Sequence, residues 1–227
     1  MRNLTDRHVE ALERELDAIR DQQQFGKFFL YTMTVMAIGL VTNNLILKHL
    51  VNITPNSLEF AWVFAVILVM PSIGIVWAMR IPLHELGVTT TGMRASLVEA
   101  GVISSVMVLF TLALVGMGVL PGTDANPFDP IPVIAYTLHS FLQELFARGF
   151  FQSSLKRFLN DRRGAKSVVF TSILFGLFHI HFGLAAVAVT AVGGLIFGAF
   201  YLRHPNLAGV TLLHFFVGIC AFNSGLL

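Results

Sequence analysis

In the stretch FLQELFARGFFQ, residues 141–152, Gln143, Glu144 and Arg148 interrupt an apolar run. Two later apolar runs each carry a histidine, His179 in TSILFGLFHIHFG and His214 in TLLHFFVG. A carboxylate can take a proton from water, and neutral imidazoles can bind a metal, orient water or stabilise an oxyanion. Glu144 and Arg148 are spaced i,i+4, so on a helix they share a face and can pair. Taken alone, such a pair can do no more than neutralise itself and tie helices together. A single buried histidine usually does no more than pack and hydrogen-bond. Gln143 can hydrogen-bond a water but cannot accept its proton at neutral pH. His139, one turn before Gln143, is placed to support it. His181 is two residues from His179 and faces roughly the opposite way on a regular helix, as an interface or helix-end residue. His84 and His204 read as interfacial and solvated.

The elements that must position these groups are apolar helices. The chain has 227 residues, 55% hydrophobic and 12% charged, against about 25% charged in a soluble domain. Its mean hydropathy is +0.74. Apolar runs long enough to span a bilayer recur from Phe28 onward. The expected fold is all-α, a polytopic membrane helix bundle. Seven spans are placed near 28–47, 58–79, 97–120, 131–155, 167–182, 184–202 and 206–223. Gly194 and Gly198 in the sixth form a small-xxx-small face for close helix approach.

Depth then links the polar residues. Glu144 precedes Arg157, and His179 follows Lys166, by thirteen residues each, or ~20 Å of helix from the basic boundary. His214 follows Arg203 by eleven residues, or ~16 Å. Three ionisable groups on three helices therefore share one layer, and intramembrane ionisable groups are functional candidates.

Residues 1–27 read as a separate cytosolic amphipathic helix before the membrane domain at 28–227. In it Val9, Leu12, Leu16 and Ile19 recur at 3/4/3 spacing, as a coiled-coil seam does. Residues 4–24 suit either a surface-lying helix or partner and self-association. Basic residues alternate between connections. They are dense before span 1 and at Lys156–Lys166, and absent from PGTDANPFDP. That alternation predicts an integral membrane protein with a cytoplasmic N-terminus and an external C-terminus. The net charge of +2 sits in these connections as a topology signal, so no nucleic-acid partner is expected. No signal peptide is read ahead of the first span. The single cysteine, Cys220, rules out an intrachain disulfide.

The sequence resembles the CAAX proteases and bacteriocin-processing enzymes, the CPBP or Abi group of intramembrane endopeptidases. That family carries E-E-x-x-x-R on one helix, F-x-x-x-H on the next and a late H-x-x-x-N. Here the three are QELFAR (Gln143–Arg148), FGLFH (Phe175–His179) and HFFVG (His214–Gly218). IPLHELGV and GLIFGAFYLRHPNLAGVTLLH share the family's look, so the likeness covers roughly residues 80–218. It implies proteolysis inside the membrane, on a membrane-associated or lipidated substrate. In the family the first glutamate activates a water, and the histidines hold that water and the tetrahedral oxyanion. Glu144, Arg148, His179 and His214 carry over. Gln143 replaces the first glutamate, and Gly218 replaces the late asparagine.

Three readings of the Gln143 departure stay open. The chain is a silenced pseudoprotease, acting as a membrane scaffold or immunity-type binding protein. Or Glu144 has become the base. Or a divalent metal such as zinc, held by His179, His214 and Glu144, activates the water. For the oxyanion donor lost at Gly218, Thr211, His139 or Gln143 are the replacements. A transporter built on the same polar layer would favour helix breaks near the site. The intrahelical Pro71 lies far from it in sequence.

Overall fold

A computed structural model describes residues 4–42, 58–122, 130–180 and 183–224. Helix α1 is Leu4–Thr42, α2 Leu58–Ala78, α3 Met93–Gly116 and α4 Pro130–Glu144. A π-helical segment, Leu145–Gln152, joins α4 to α5, Ser153–Phe158. Then follow α6 Ala165–Leu177, α7 Leu184–Arg203 and α8 Leu207–Asn223. Helix is the only regular structure among the described residues. The helices fall close to the expected spans. The end of the first expected span, residues 43–47, lies outside the described residues.

The polar N-terminal segment and the apolar run after it form one unbroken helix across the 27/28 boundary. Ala, Leu, Glu, Arg and Gln favour helix throughout residues 4–24, and no proline precedes Pro55. The seam residues Val9, Leu12, Leu16 and Ile19 are exposed. Further along, α1 is fastened to the bundle. Arg157 pairs with Asp21 at 3.0 Å and with Glu85, and lies 5.0 Å from the Phe25 ring centre. The Gln22 amide donates to the Phe158 carbonyl at 2.7 Å, and the Gln24 amide to Met79 at 2.9 Å. Gly26 leaves room for Phe158, whose ring would lie 2.6 Å from any β-carbon there.

Among the described residues two helices, α3 and α7, are long and apolar enough to cross a membrane. In α3 the buried residues are Ser96, Ala100 and Ser104, at four-residue spacing, while Val98, Val102, Val106, Leu109 and Phe110 face outward. Small residues inside and branched or aromatic ones outside reverse the pattern of a water-soluble helix. On the facing α8, a β-carbon at Gly209 would collide with Ser96. The small face of α7 works the same way. A β-carbon at Gly194 would lie 3.0 Å from Ser172, and one at Gly198 2.9 Å from Val168, both on α6.

The core is aromatic and centres on the π segment. Phe146 and Phe151 meet edge to face at 4.6 Å, Phe151 stacks on Phe178 at 6.4 Å, and Phe150 packs against Phe28 of α1 at 5.8 Å. Asp161 sets the turn into α6, its carboxylate accepting the Gly164 N–H at 3.1 Å and the Ser167 N–H at 2.9 Å. The Ser167 amide lies in the first turn of α6, where N–H groups have no partner within the helix, and the Gly164 N–H also reaches the Asp161 backbone carbonyl at 3.0 Å.

Candidate active site

The site grows from the 144–152 ladder. Glu144 ends α4, and Arg148 and Gln152 follow at four-residue steps inside the π segment, all three fully buried. The widened turn shows in the Ser153 N–H, which bonds to the Arg148 carbonyl five residues back; such bulges recur at functional sites. Arg148 bridges its neighbours, Nε donating to Glu144 Oε2 at 3.1 Å and Nη1 to Gln152 Oε1 at 3.0 Å. Gln152 Nε2 then donates to the Gly198 carbonyl of α7 at 2.9 Å. The buried charge pair is thus tied into a neighbouring helix.

The second Glu144 oxygen faces α8. His214 Nδ1 lies 2.6 Å from Glu144 Oε1. The imidazole stacks on Phe197 of α7 at 5.2 Å and meets Phe175 of α6 edge-on at 5.9 Å. Phe175 is the hub of this wall. The Arg148 guanidinium lies 5.8 Å from its ring centre, and His179 packs on it at 5.0 Å, with Nδ1 2.8 Å from its carbonyl. Glu144, Arg148 and His214 are therefore joined by direct bonds, and His179 reaches them across Phe175.

Gln143 turns to its own helix. Its amide Nε2 lies 2.6 Å from His139 Nε2, which puts the proton of a neutral His139 on Nδ1 when the amide donates. Gln143 Oε1 and His139 Nδ1 are buried without a hydrogen-bond partner among the described residues. Trp62 of α2 meets the His139 ring edge to face at 5.7 Å.

Thr211 is buried, with no hydrogen-bond partner for its hydroxyl among the described residues, and lines a small cavity with Gly87, Thr89 and Phe141. His204 is not simply solvated. It bonds to Glu99 at 2.8 Å, linking α7 to α3. His84 is exposed beside Glu85, and His181 lies outside the described residues. Among the described residues no three His, Cys, Asp or Glu side chains converge as metal ligands do. Each Glu144 oxygen already accepts one hydrogen bond from a protein side chain.

Residues 128–220 match the model of the type II CAAX prenyl endopeptidase Rce1-like family. Over that stretch the chain is similar to the CAAX-protease family. The matched region runs from the start of α4 into α8 and contains Gln143, Glu144, Arg148, His179, His214 and Gly218. Searches of curated proteins and of solved structures gave no match. The similar stretch takes in α4, α6 and α8, which bring Glu144 and His214 together and place His179 two residues beyond the end of α6. Two residues of the site were not singled out from the sequence. Gln152 was marked only by its four-residue step from Arg148. Tyr136 was marked only by lying three and seven residues before His139 and Gln143.

Proposed function

We propose that this chain is an intramembrane endopeptidase-type protein acting on a membrane-associated or lipidated peptide, its hydrolytic rate limited by Gln143. The observation that carries the reading is the Glu144 carboxylate, buried and held on one oxygen by Arg148 and on the other by His214. A carboxylate so engaged orients a histidine rather than collecting a proton itself. Donation from His214 Nδ1–H to Glu144 leaves the lone pair of the neutral ring on Nε2. That nitrogen takes a proton from water as the water oxygen bonds to the scissile carbonyl carbon. It returns the proton to the amine as the C–N bond breaks, as in other carboxylate–histidine pairs. Gln143 orients the water without taking its proton. A glutamate there would supply a second and closer acceptor.

The topology proposed with this reading has seven spans, a cytoplasmic N-terminus and an external C-terminus, supported by the alternation of basic connections. The name of the matching family supports a prenylated C-terminal peptide as the first substrate to try. A second reading, a pseudoprotease that binds such peptides without turnover, is favoured by the amide at position 143. One comparison separates the two. The chain and its Gln143→Glu variant are reconstituted in lipid nanodiscs with a farnesylated CAAX-type peptide. The variant is expected to cleave about 100-fold faster or more, the usual worth of a positioned base. Equal cleavage would remove Gln143 from the base position. Binding without cleavage by either protein would leave the pseudoprotease.

A further inference from the structure

Gly218 lies four residues after His214, one turn along the same face of α8. The space its side chain would take is already filled. A β-carbon at 218 would overlap the Tyr136 hydroxyl and lie 2.8 Å from Cε1 of that ring. The phenol of α4 is thus seated against the α8 backbone, beside the imidazole that Glu144 orients. Its ring meets His214 edge-on at 6.5 Å, stacks with His139 at 6.5 Å and leans on Phe215 at 5.8 Å. Glu144 is near enough to act on the hydroxyl electrostatically. Tyr136, His139 and Gln143 stand at i, i+3 and i+7, one stripe of α4, so the phenol and the Gln143 amide share one wall.

A phenol O–H is a hydrogen-bond donor that keeps its proton at neutral pH. Donors of this kind, fixed in advance where negative charge will develop, stabilise tetrahedral intermediates. We propose that Tyr136 is the oxyanion donor of this site. When water adds to the scissile carbonyl, its oxygen becomes an oxyanion and accepts a hydrogen bond from the Tyr136 O–H. The donor is released unchanged when the carbonyl re-forms and the amine leaves. Gly218 is the second half of the device, because only a residue without a β-carbon lets the hydroxyl reach this position. The proposal rests on the peptide-hydrolysing reading of the site, and its test does not need turnover.

Two probes are compared on the full chain in nanodiscs: a farnesylated CAAX-type peptide, and the same peptide with a phosphinate replacing the scissile bond. The phosphinate mimics the tetrahedral anion, so the chain is expected to bind it more tightly than the peptide. Tyr136→Phe is expected to cut that preference about 10-fold, the worth of one hydrogen bond to a charged oxygen, leaving peptide affinity within about twofold. Gly218→Ala, which pushes the hydroxyl aside without deleting it, is expected to do the same. A preference unchanged by Tyr136→Phe, or no preference in the parent chain despite peptide binding, overturns the Tyr136 role alone. A parent chain that binds neither probe overturns the peptide-site reading, and the donor role with it.

Discussion

His214 and Glu144, seventy residues apart in the chain, meet at 2.6 Å inside the bundle. The bond joins α8 to the end of α4 and fixes which imidazole nitrogen carries the proton. A glutamine at 144 could not serve both Arg148 and the His214 Nδ1–H as the carboxylate does. In the Gln143→Glu background, adding Glu144→Gln is expected to lower cleavage of a farnesylated CAAX-type peptide by about 100-fold or more, as misplacing the tautomer does in related pairs. Nitrogen NMR of His214 reads the cause directly. It should report a proton on Nδ1 in the parent chain and a mixture of tautomers after the change. The same Nδ1-protonated spectrum in both would sink the orienting role.

Arg148 is buried between two polar partners, Glu144 and Gln152, so its removal leaves more than a gap. Arg148→Met strands the Glu144 charge and the Gln152 carbonyl oxygen. Breaking a buried pair on one side typically costs about 3–5 kcal/mol, and a loss in that range is expected from unfolding in detergent. Adding Glu144→Leu should recover a good part of it, because the stranded charge is the main penalty. A double variant less stable than Arg148→Met would show that the carboxylate stabilises the bundle independently of the guanidinium.

The sequence carried the helices well, because apolar runs and their breaks mark membrane-length segments directly. It also pointed to Glu144 and His214 as partners, since rise per residue is nearly constant along a helix, and the two meet at 2.6 Å. What it could not carry was set by contacts between helices. The π segment has no composition signature, and it alters the turn that presents Arg148 and Gln152. The seat of Tyr136 against Gly218 depends on how closely α4 approaches α8. The continuity of α1 through residues 27 and 28 was available in principle from the missing proline, but a change from polar to apolar residues looks like a boundary.

Gly198 is where α7 comes closest to the polar ladder. A β-carbon there would lie 3.0 Å from both Arg148 Nη1 and Gln152 Oε1 and 2.9 Å from Val168 Cγ1. None of these atoms moves freely, because the first two are bonded to each other and valine has a stiff side chain. Gly198→Ala is expected to cost about 1–3 kcal/mol, the usual range for overpacking. In the Gln143→Glu background it should also slow cleavage, through a displaced Arg148. Gly193→Ala, where a β-carbon meets open space, is the control and should be close to neutral in both measurements. Equal effects of the two would remove the ladder as the cause.

Arg157 fastens the N-terminal helix to the bundle through Asp21 and Glu85. Burial works against its charge, but the two carboxylates outweigh it and hold its pKa above the ordinary arginine value. A raised pKa contributes stability that is fully present below the unfolded value and lost only as pH rises through the folded one. For an arginine that window lies far above neutrality, so the clamp should hold unchanged from about pH 6 to 9. Its guanidinium is about a third exposed, so salt screens the pairs and their worth is about 1 kcal/mol or less. Arg157→Met keeps much of the packing on Phe25 and deletes the charge. It is expected to speed proteolysis between residues 9 and 24 by severalfold while leaving peptide affinity unchanged. Salt at 0.5 M should bring the parent chain part of the way to the variant. Proteolysis insensitive to both the substitution and the salt would mean that the Gln22 and Gln24 bonds hold α1 without the clamp.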